Sequence, residues 1–309
     1  LENHDLDFVV SGDVRRLAKQ VANDLGAAFY MMDLEHQTAR VVCQGEKSRQ
    51  YNLDFSALRG ADIDQDLAAR DFSINAMAVD IEDLERIIDP LRGAQDLKDR
   101  RLRACSPTSF RDDPVRLLRA VRHAVALQLS MDSNTINWLK EASADLPLSS
   151  LERQRDEFFR ILEGRKVDTA VRILDQFGLL ELILPEVTAL KHEAQPPYAV
   201  DVWEHTIATL SWLEKLIDLL AAEYHEEKGA NLVLGLAALY LGTYRDQLRR
   251  HFDQPLVSGR TVRGDLFLAA LLHDTGKPGK KTVDSAGRTH FYGHEMLSAD
   301  IARQRARAM

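Results

Sequence analysis

Cysteine is nearly missing from this chain of 309 residues, with Cys43 and Cys105 its whole complement. Two thiols at that spacing match no metal-binding repeat and no disulfide framework, so a reducing, cytoplasmic setting is expected. Long apolar runs are lacking as well. The longest nearly apolar stretch, Leu232 to Gly242, is about half of the ~20 residues that a membrane-spanning helix needs, so no membrane partner is expected. No pattern of a secretory leader is expected either. An excess of positive charge is also absent: 40 Lys and Arg stand against 48 Asp and Glu, a formal net charge of −8. That balance argues against a protein that holds nucleic acid through overall charge, because phosphate contacts need clustered cations. The exception is local. Between Lys98 and Arg122, eight Lys and Arg face three Asp, a net of +5, which leaves room for an RNA partner on one face.

What is there is ordinary globular composition, 45% hydrophobic and 28% charged, over more residues than one core usually serves. Strand-like segments at Phe8-Val9-Val10, Ala39 to Val42 and Asn52 to Phe55 mix with a helical pattern from Val14 to Leu25 that closes on Gly26. After Pro107 the pattern is almost wholly helical, with helices predicted over Pro114–Leu127, Thr135–Glu141, Leu151–Glu163, Val167–Phe177 and Gly178–Leu184. Gln195-Pro196-Pro197 reads as a linker, and Thr206–Tyr224, Leu232–Arg249 and Arg263–His273 are predicted helices beyond it. The expected fold class is α+β: a small α/β head over residues 1–107, an all-α neck and body over 108–195, and a second all-α domain over 198–309. The chain opens just before a strand-like segment and closes at Arg307-Ala308-Met309 within a helical pattern, so both ends are expected to be internal and the last domain truncated.

Asp5-Leu6-Asp7 runs straight into the first strand-like segment. On a strand, residues i and i+2 share a face, so Asp5 and Asp7 present two carboxylates side by side. Like charges that close are costly unless a cation lies between them, and Mg²⁺ takes one or two carboxylates plus substrate phosphates. The plainer reading, a solvated turn before a strand, stands beside this one on the residues alone.

Further segments bear on the choice. Ala69-Arg70-Asp71-Phe72-Ser73-Ile74-Asn75-Ala76-Met77-Ala78 resembles the R-R-D-F-x-I-N-A-M-A signature of class II tRNA nucleotidyltransferases and bacterial poly(A) polymerases, with Ala69 in place of its first Arg. Asp112-Asp113-Pro114-Val115-Arg116 looks like that family's E-D-x-x-R helix, and Glu152-Arg153-Gln154-Arg155-Asp156-Glu157 like its later E-R-x-x-x-E motif. The resemblance covers roughly residues 4–190 in family order. It implies a polymerase-beta-like nucleotidyltransferase head in which Asp5 and Asp7 are the catalytic pair that binds Mg²⁺. Asp54 is implied as a third catalytic carboxylate, its alternative being a surface strand residue. Arg70, Asp71 and Asn75 are implied as nucleotide-binding, the first toward phosphate and the others toward ribose, with a turn-forming role the alternative for Asn75. Asp113 and Arg116 are implied to imitate one edge of a base and so read the incoming CTP or ATP, with Arg119 and Arg153 beside them in the nucleotide site; the rival for Asp113 is an N-cap ahead of Pro114. Arg153 and Glu157, four apart, are either a surface pair or a brace for the Asp113–Arg116 helix. The family's Gly-Gly-x-x-Arg-Asp segment is expected about one helix ahead of Asp5, in the parent protein.

The last third carries Val202-Trp203-Glu204-His205, then Leu272-His273-Asp274-Thr275-Gly276-Lys277, then Gly293-His294. This resembles the HD superfamily of metal phosphohydrolases, and implies that His205, His273 and Asp274 hold a second divalent metal, Mn, Ni, Fe or Mg, with a further Asp ligand expected past Met309. His294 is expected either to face a phosphate or to cap a loop. Together the resemblances imply template-independent addition of CMP and AMP from CTP and ATP to the 3′ end of tRNA or another RNA, by two-metal transfer that releases pyrophosphate. A poly(A) polymerase, or an enzyme adding only A or only CC, fits as well, since Asp112 stands where the family usually has Glu. A rival of another class is an HD-type phosphohydrolase with an RNA-binding head. The oligomeric state leaves no signal in the sequence.

Overall fold

The alternation that begins at Asp5 sets the architecture of the head. In the computed structural model, which describes residues 5–33, 37–45, 50–194, 201–220, 232–256 and 259–309, the chain divides into two compact units, Leu1–Gly93 and Ala94–Met309. The first unit is built on β1 (Asp5–Val10), α1 (Val14–Leu25), β2 (Ala28–Asp33), β3 (Thr38–Gln44) and β4 (Gln50–Ala57). The strands form one sheet in the order β1-β4-β3-β2, with β1 parallel to β4 and the other pairs antiparallel.

Helix α1 explains which face of the sheet is wet. Asp13 caps it by accepting from the Arg16 amide at 2.9 Å, and Gly26 ends it at φ +60°, a left-handed turn that glycine adopts freely. Val14, Ala18 and Ala22 fall four apart on one stripe and are all buried. They pack on Ala39, Val41 and Phe55, with Phe8, Val10, Phe29 and Leu53 around them. These strand residues share one parity. The opposite parity, Asp5, Asp7, Asn52, Asp54 and Arg40, therefore lies on the other face, in paired rows: Asp5 beside Asn52, and Asp7 beside Asp54 beside Arg40.

Beyond the sheet come α2 (Ile63–Ala68), a 3₁₀ turn at Ser73–Asn75, and the hairpin of β5 (Ala78–Asp80) and β6 (Asp83–Ile88). Neither this hairpin nor β2 was predicted. Val79, Ile81, Leu84 and Ile87 are exposed, so the hairpin lacks the buried face that gives a strand its signature.

The second unit opens inside α3 (Gly93–Lys98), at Ala94, and is almost entirely helical. The short strands β7 (Arg101–Leu102) and β8 (Ser130–Met131) pair across α4 (Ser109–Asp112) and α5 (Arg116–Ala126). The predicted helix from Pro114 is corrected: α5 starts at Arg116, and Asp113 is extended at φ −150°. A residue before proline is driven from helical backbone, so the chain breaks there. Then follow α6 (Ser133–Ala142), α7 (Leu151–Leu162), α8 (Val167–Gln176) and α9 (Leu179–Ile183). Leu117, Leu118, Val121, Phe158, Leu162, Val171 and Leu174 are fully buried among α5, α7 and α8.

Helix α10 (Val202–Leu219) starts four residues earlier than predicted, because Asp201 caps it by accepting from the Glu204 amide at 2.8 Å. Its predicted end at Tyr224 and the Gln195-Pro196-Pro197 linker lie outside the described residues. The single helix predicted over Leu232–Arg249 is α11 (Leu232–Leu241) and α12 (Arg245–Phe252), separated by a 3₁₀ turn at Gly242–Tyr244. Helix α13 (Val262–Leu272), the two-residue strands β9 (Thr282–Val283) and β10 (Thr289–His290), and α14 (His294–Ala308) complete the unit. Among the described residues no helix is long and apolar enough to cross a membrane.

One glycine joins the fold of the first unit to its polar segment. Gly93 donates its amide to Asp89 Oδ1 at 2.6 Å, and a Cβ at this position would overlap the carbonyl of Ser73. Gly93→Ala is therefore expected to destabilise the protein by about 1–3 kcal/mol, a cost typical of overpacking. Thermal unfolding followed by circular dichroism checks this, with an unchanged melting temperature as the contrary result.

Candidate functional site

On the polar face of the head sheet, Asp5 and Asp7 are both exposed, on one side of β1. Asn52 Nδ2 donates to Asp5 Oδ1 at 2.7 Å. Arg40 meets Asp54 through both of its fork nitrogens, Nε to Oδ1 at 2.7 Å and Nη2 to Oδ2 at 2.6 Å. The hydrogen bonds from Arg40 to Asp54 raise the arginine pKa, and the charges of Asp54, Asp5 and Asp7 add to the rise, against the downward pull of burial. One guanidinium thus faces three carboxylates and is committed to Asp54. The remaining excess of negative charge lies at Asp5 and Asp7, a pair of hard oxygen donors of the kind that suits Mg²⁺. Sequence reasoning named the three aspartates and missed Arg40 and Asn52, whose places follow from the β3–β4 and β1–β4 registers.

Arg70, Asp71 and Asn75 are brought together in the turn after α2. Asp66 is almost fully buried and accepts from the Arg59 amide at 2.9 Å and from Arg70 Nη2 at 3.2 Å. Asp71, also buried, accepts from its neighbour's amide, Phe72 N, at 2.8 Å and from Asn75 Nδ2 at 3.2 Å. Each of the three therefore has an internal partner that shapes the turn. Asp66 was not singled out from the sequence, although its spacing of four from Arg70 was a usable signal.

In the second unit, Asp113 does not cap α5. The residue at the cap position is Val115, with no side-chain cap bond, and Asp113 Oδ2 instead accepts from Arg153 Nη2 at 2.7 Å. The N-cap alternative is corrected on this point. Arg116 Nε lies 3.9 Å from the same Asp113 oxygen, and its Nη1 donates to Ser109 Oγ at 3.0 Å. Asp113 Oδ1 is buried and accepts no hydrogen bond among the described residues. A buried, unmet acceptor is costly, and a donor edge supplied by a ligand would relieve it. Glu157, on the same helix as Arg153, is 5% exposed and accepts from Arg122 Nε at 2.8 Å and Arg160 Nη1 at 2.6 Å, with Arg119 Nη1 at 3.6 Å. Arg153 and Glu157 thus both reach the Asp113–Arg122 segment from α7, rather than pairing with each other at the surface.

A fourth cluster gathers at the end of α13. Donor atoms of His205, on α10, and of His273 and Asp274 lie within 4.8 Å of one another. His273 Nε2 is 3.1 Å and His205 Nε2 3.6 Å from Asp274 Oδ2, and His294 Nε2 is 3.3 Å from Oδ1. The Nδ1 atoms of His273 and His294 donate to the carbonyls of Ala270 and Phe291, each at 2.7 Å. In the neutral rings this fixes the Nε2 lone pairs on the Asp274 side. Lone pairs facing a carboxylate are favourable only with a cation or proton between them, so the donor set fits a divalent metal. Lys277 Nζ, almost fully buried, also meets Asp274 Oδ2, at 2.7 Å.

The pKa directions agree with that geometry. Burial pushes Asp274 upward, but hydrogen bonds from His273 and Lys277 outweigh it and lower the carboxyl to about 2. Burial lowers His273, and its hydrogen bond to Asp274 with that residue's charge reverses the shift to a net rise. At His205 burial prevails and the pKa is lowered. Gly276 must be glycine here: its amide donates to Ser298 Oγ at 2.9 Å, and a Cβ would overlap the His294 carbonyl. Sequence reasoning placed His205, His273 and Asp274 together. It did not place Lys277 on Asp274, and it left His294 undecided.

These four clusters have counterparts among known proteins to compare with. Family profiles match residues 1–103 as the poly A polymerase head domain, residues 128–191 as a probable RNA and SrmB-binding site of polymerase A, and residues 202–309 as an HD domain. The chain is 40% identical over 161 residues to a CC-adding tRNA nucleotidyltransferase of Geobacter sulfurreducens, a match that covers 52% of this chain and 36% of that protein. It is 30% identical to an A-adding tRNA nucleotidyltransferase of Deinococcus radiodurans, over 93% of this chain and 56% of that one. These two relatives are thus spanned only to about a third and a little over half of their lengths. Against a multifunctional CCA protein of Pseudomonas fluorescens the identity is 31%, with 95% of this chain and 71% of that protein covered. A crystal structure of a tRNA nucleotidyltransferase complexed with a primer tRNA and an incoming ATP analog superposes with a TM-score of 0.58 at 26% identity, over 86% of this chain and 74% of that one. On this likeness, which runs through head, helical middle and HD segment alike, the chain belongs to the tRNA nucleotidyltransferase family.

Proposed function

We propose that the chain transfers CMP and AMP from CTP and ATP to the 3′ end of tRNA without a nucleic-acid template, releasing pyrophosphate. The observation that carries this reading is the exposed Asp5–Asp7 pair on the polar face of a sheet whose other face is filled by α1, in a chain of this family. The division into a head over 1–107, a neck and body over 108–195 and an HD domain over 198–309 belongs to the same proposal, as does a cytoplasmic location.

Asp5 and Asp7 would hold Mg²⁺, which when bound supplies charge neutralisation at the triphosphate and activates the attacking hydroxyl. Asn52 orients Asp5 through its amide. Asp54 lies beside Asp7 and joins the catalytic pair by exchanging Arg40 for the cation. Arg70 offers its fork to phosphate, and Asp71 and Asn75 offer acceptor and donor groups to ribose. In the second unit, Asp113 Oδ1 accepts from the exocyclic amine of cytosine or adenine while Arg116 donates to a neighbouring ring acceptor. Uracil and guanine present the wrong groups to that pair. Arg153 holds Asp113 through its other oxygen, and Arg119 and Arg122 are anchored by Glu157. Enzymes that add only A, only CC or a poly(A) tail share this chemistry, so the choice among them rests on the products formed.

A second reading has its own observation, the convergence of His205, His273 and Asp274. Residues 202–309 would hydrolyse phosphate esters: a water oxygen bonds to phosphorus, the ester P–O bond breaks, and the leaving alkoxide takes a proton. A metal of the Mn, Ni, Fe or Mg type bound there would polarise the water.

Asp5→Ala and Asp7→Ala are each expected to abolish nucleotide incorporation while leaving tRNA binding and melting temperature near wild type, because they remove repelling surface charge. Full-length protein incubated with tRNA lacking its 3′ end, Mg²⁺ and each labelled nucleotide separately tests this, and wild-type incorporation by either variant would rule out the assignment. Asp113→Asn and Arg116→Ala should erode discrimination of CTP and ATP against UTP and GTP by roughly ten- to hundred-fold, from about 1–3 kcal/mol per unpaired buried group. Relative incorporation of the four nucleotides reads the effect, and unchanged preference in both variants leaves α5 a structural role only. His273→Ala should lose bound Mn²⁺ by metal analysis yet keep nucleotide addition; loss of both with the fold intact would count against two independent sites.

A further inference from the structure

The HD segment holds more than its metal-compatible donors. Beside them lies a cleft of about 420 Å³ lined by Lys277, His290, Phe291, Tyr292 and His294 among others. Two of these residues also reach the donor cluster, Lys277 through Asp274 Oδ2 at 2.7 Å and His294 through Asp274 Oδ1 at 3.3 Å. One end of the cleft therefore carries a buried ammonium suited to a phosphate, with the His294 ring beside it. The Lys277 ammonium also lies 5.7 Å from the centre of the Phe291 ring, which makes that ring part of its seat.

The other end is aromatic. His290 Nε2 is tied to Asp284 Oδ2 at 3.0 Å, which fixes the imidazole. The Tyr292 ring stacks on it, with centroids 5.0 Å apart and planes 12° from parallel. Tyr292 is nevertheless 76% exposed. A large aromatic ring left in water yet held flat against a fixed neighbour is a ready surface for a third planar ring, since every nucleobase offers a π-face and such stacking tolerates any base. A volume near 420 Å³ lies within the range of small-molecule sites and fits one nucleotide.

We propose that the His290–Tyr292 pair is a stacking platform that makes this site favour phosphate esters carrying a nucleobase, the phosphate lying toward Lys277 and the base on Tyr292. The inference rests on the phosphohydrolase reading of residues 202–309 and adds the specificity determinant to it. A free nucleotide and the terminal nucleotide of an RNA offer the same chemistry to the platform.

Photolabelling of the Mn²⁺-loaded full chain with 8-azidoadenosine 5′-monophosphate, mapped by mass spectrometry, separates this site from the nucleotide site of the head. Label is expected within residues 289–294. Unlabelled adenosine monophosphate should suppress it at least about five-fold more effectively than ribose 5-phosphate, the least that one base–aromatic stack provides. Tyr292→Ala should reduce labelling by a similar factor, and Tyr292→Phe, which keeps the ring, should restore it. In hydrolysis by the same variants, Tyr292→Ala should raise KM for adenosine monophosphate with kcat and the values for ribose 5-phosphate unchanged. A short oligoadenylate ending in a 3′ phosphate is the RNA arm: competition by it marks an RNA end as the source, and competition by the mononucleotide alone marks a free nucleotide. Equal competition by adenosine monophosphate and ribose 5-phosphate, or wild-type labelling of Tyr292→Ala, overturns the platform while leaving the phosphohydrolase reading standing. Absence of label at 289–294 with no hydrolysis of either ester overturns both.

Discussion

The helical unit depends on one buried carboxylate. Glu157 is nearly inaccessible and would be strongly unfavourable there alone, since the desolvation of an unpaired charge runs to several kcal/mol. Arg122 and Arg160 bond to it directly and Arg119 stands close, so α5 and α7 are fastened to each other by charge as well as by Leu118, Val121 and Phe158. With that register set, Arg153, one turn earlier on α7, falls opposite Asp113. The orientation of Asp113 thus follows from a contact one helical turn away, and the oxygen left without a donor is the one that the fold does not use.

The head reaches its polar face by another route. No buried charge is needed there, because period-two alternation and a single covering helix decide which residues stay wet. Arg40 commits to Asp54 and leaves Asp5 and Asp7 as the part of the face with unbalanced charge. The two units therefore present different electrostatics, one a concentration of negative charge suited to a cation and the other an arginine-rich helix pair around a hydrogen-bonding aspartate.

What the sequence made legible were local features: the parity of Asp5 and Asp7 on β1, the amphipathic stripe of α1, and the helices α6 to α9 to within a residue or two at most ends. What it left hidden was set by distant partners. Arg40 meets Asp54 because of the β3–β4 register, which no local pattern encodes. Strand β2 runs Ala-Phe-Tyr-Met-Met-Asp, with too little polar alternation to stand out. The start of α5 was misplaced because Asp113-Pro114 offered two local signals, a cap and a break, and the break prevailed once Arg153 claimed the side chain. Likewise Lys277 follows Asp274 by three residues, but that its ammonium turns inward depends on the packing of α13 against α14. The family resemblance named Asp5, Asp7, Asp54, His205, His273 and Asp274 without saying what holds them.

The contact at Gly276 gives the last of these clusters an unusual mechanical character. At Gly276 the loop after α13 comes so close to the start of α14 that a Cβ there would overlap the His294 carbonyl, and a hydrogen bond from the Gly276 amide to the Ser298 hydroxyl closes the joint. Side-chain interfaces loosen as rotamers hop and as temperature rises, whereas two peptide groups in direct contact have almost no such slack. The spacing between His273 and His294 is therefore set by main-chain geometry, like the gap of a calliper. Sequence drift in the surrounding apolar residues can alter the stability of this region while leaving the distance across the donor cluster nearly constant.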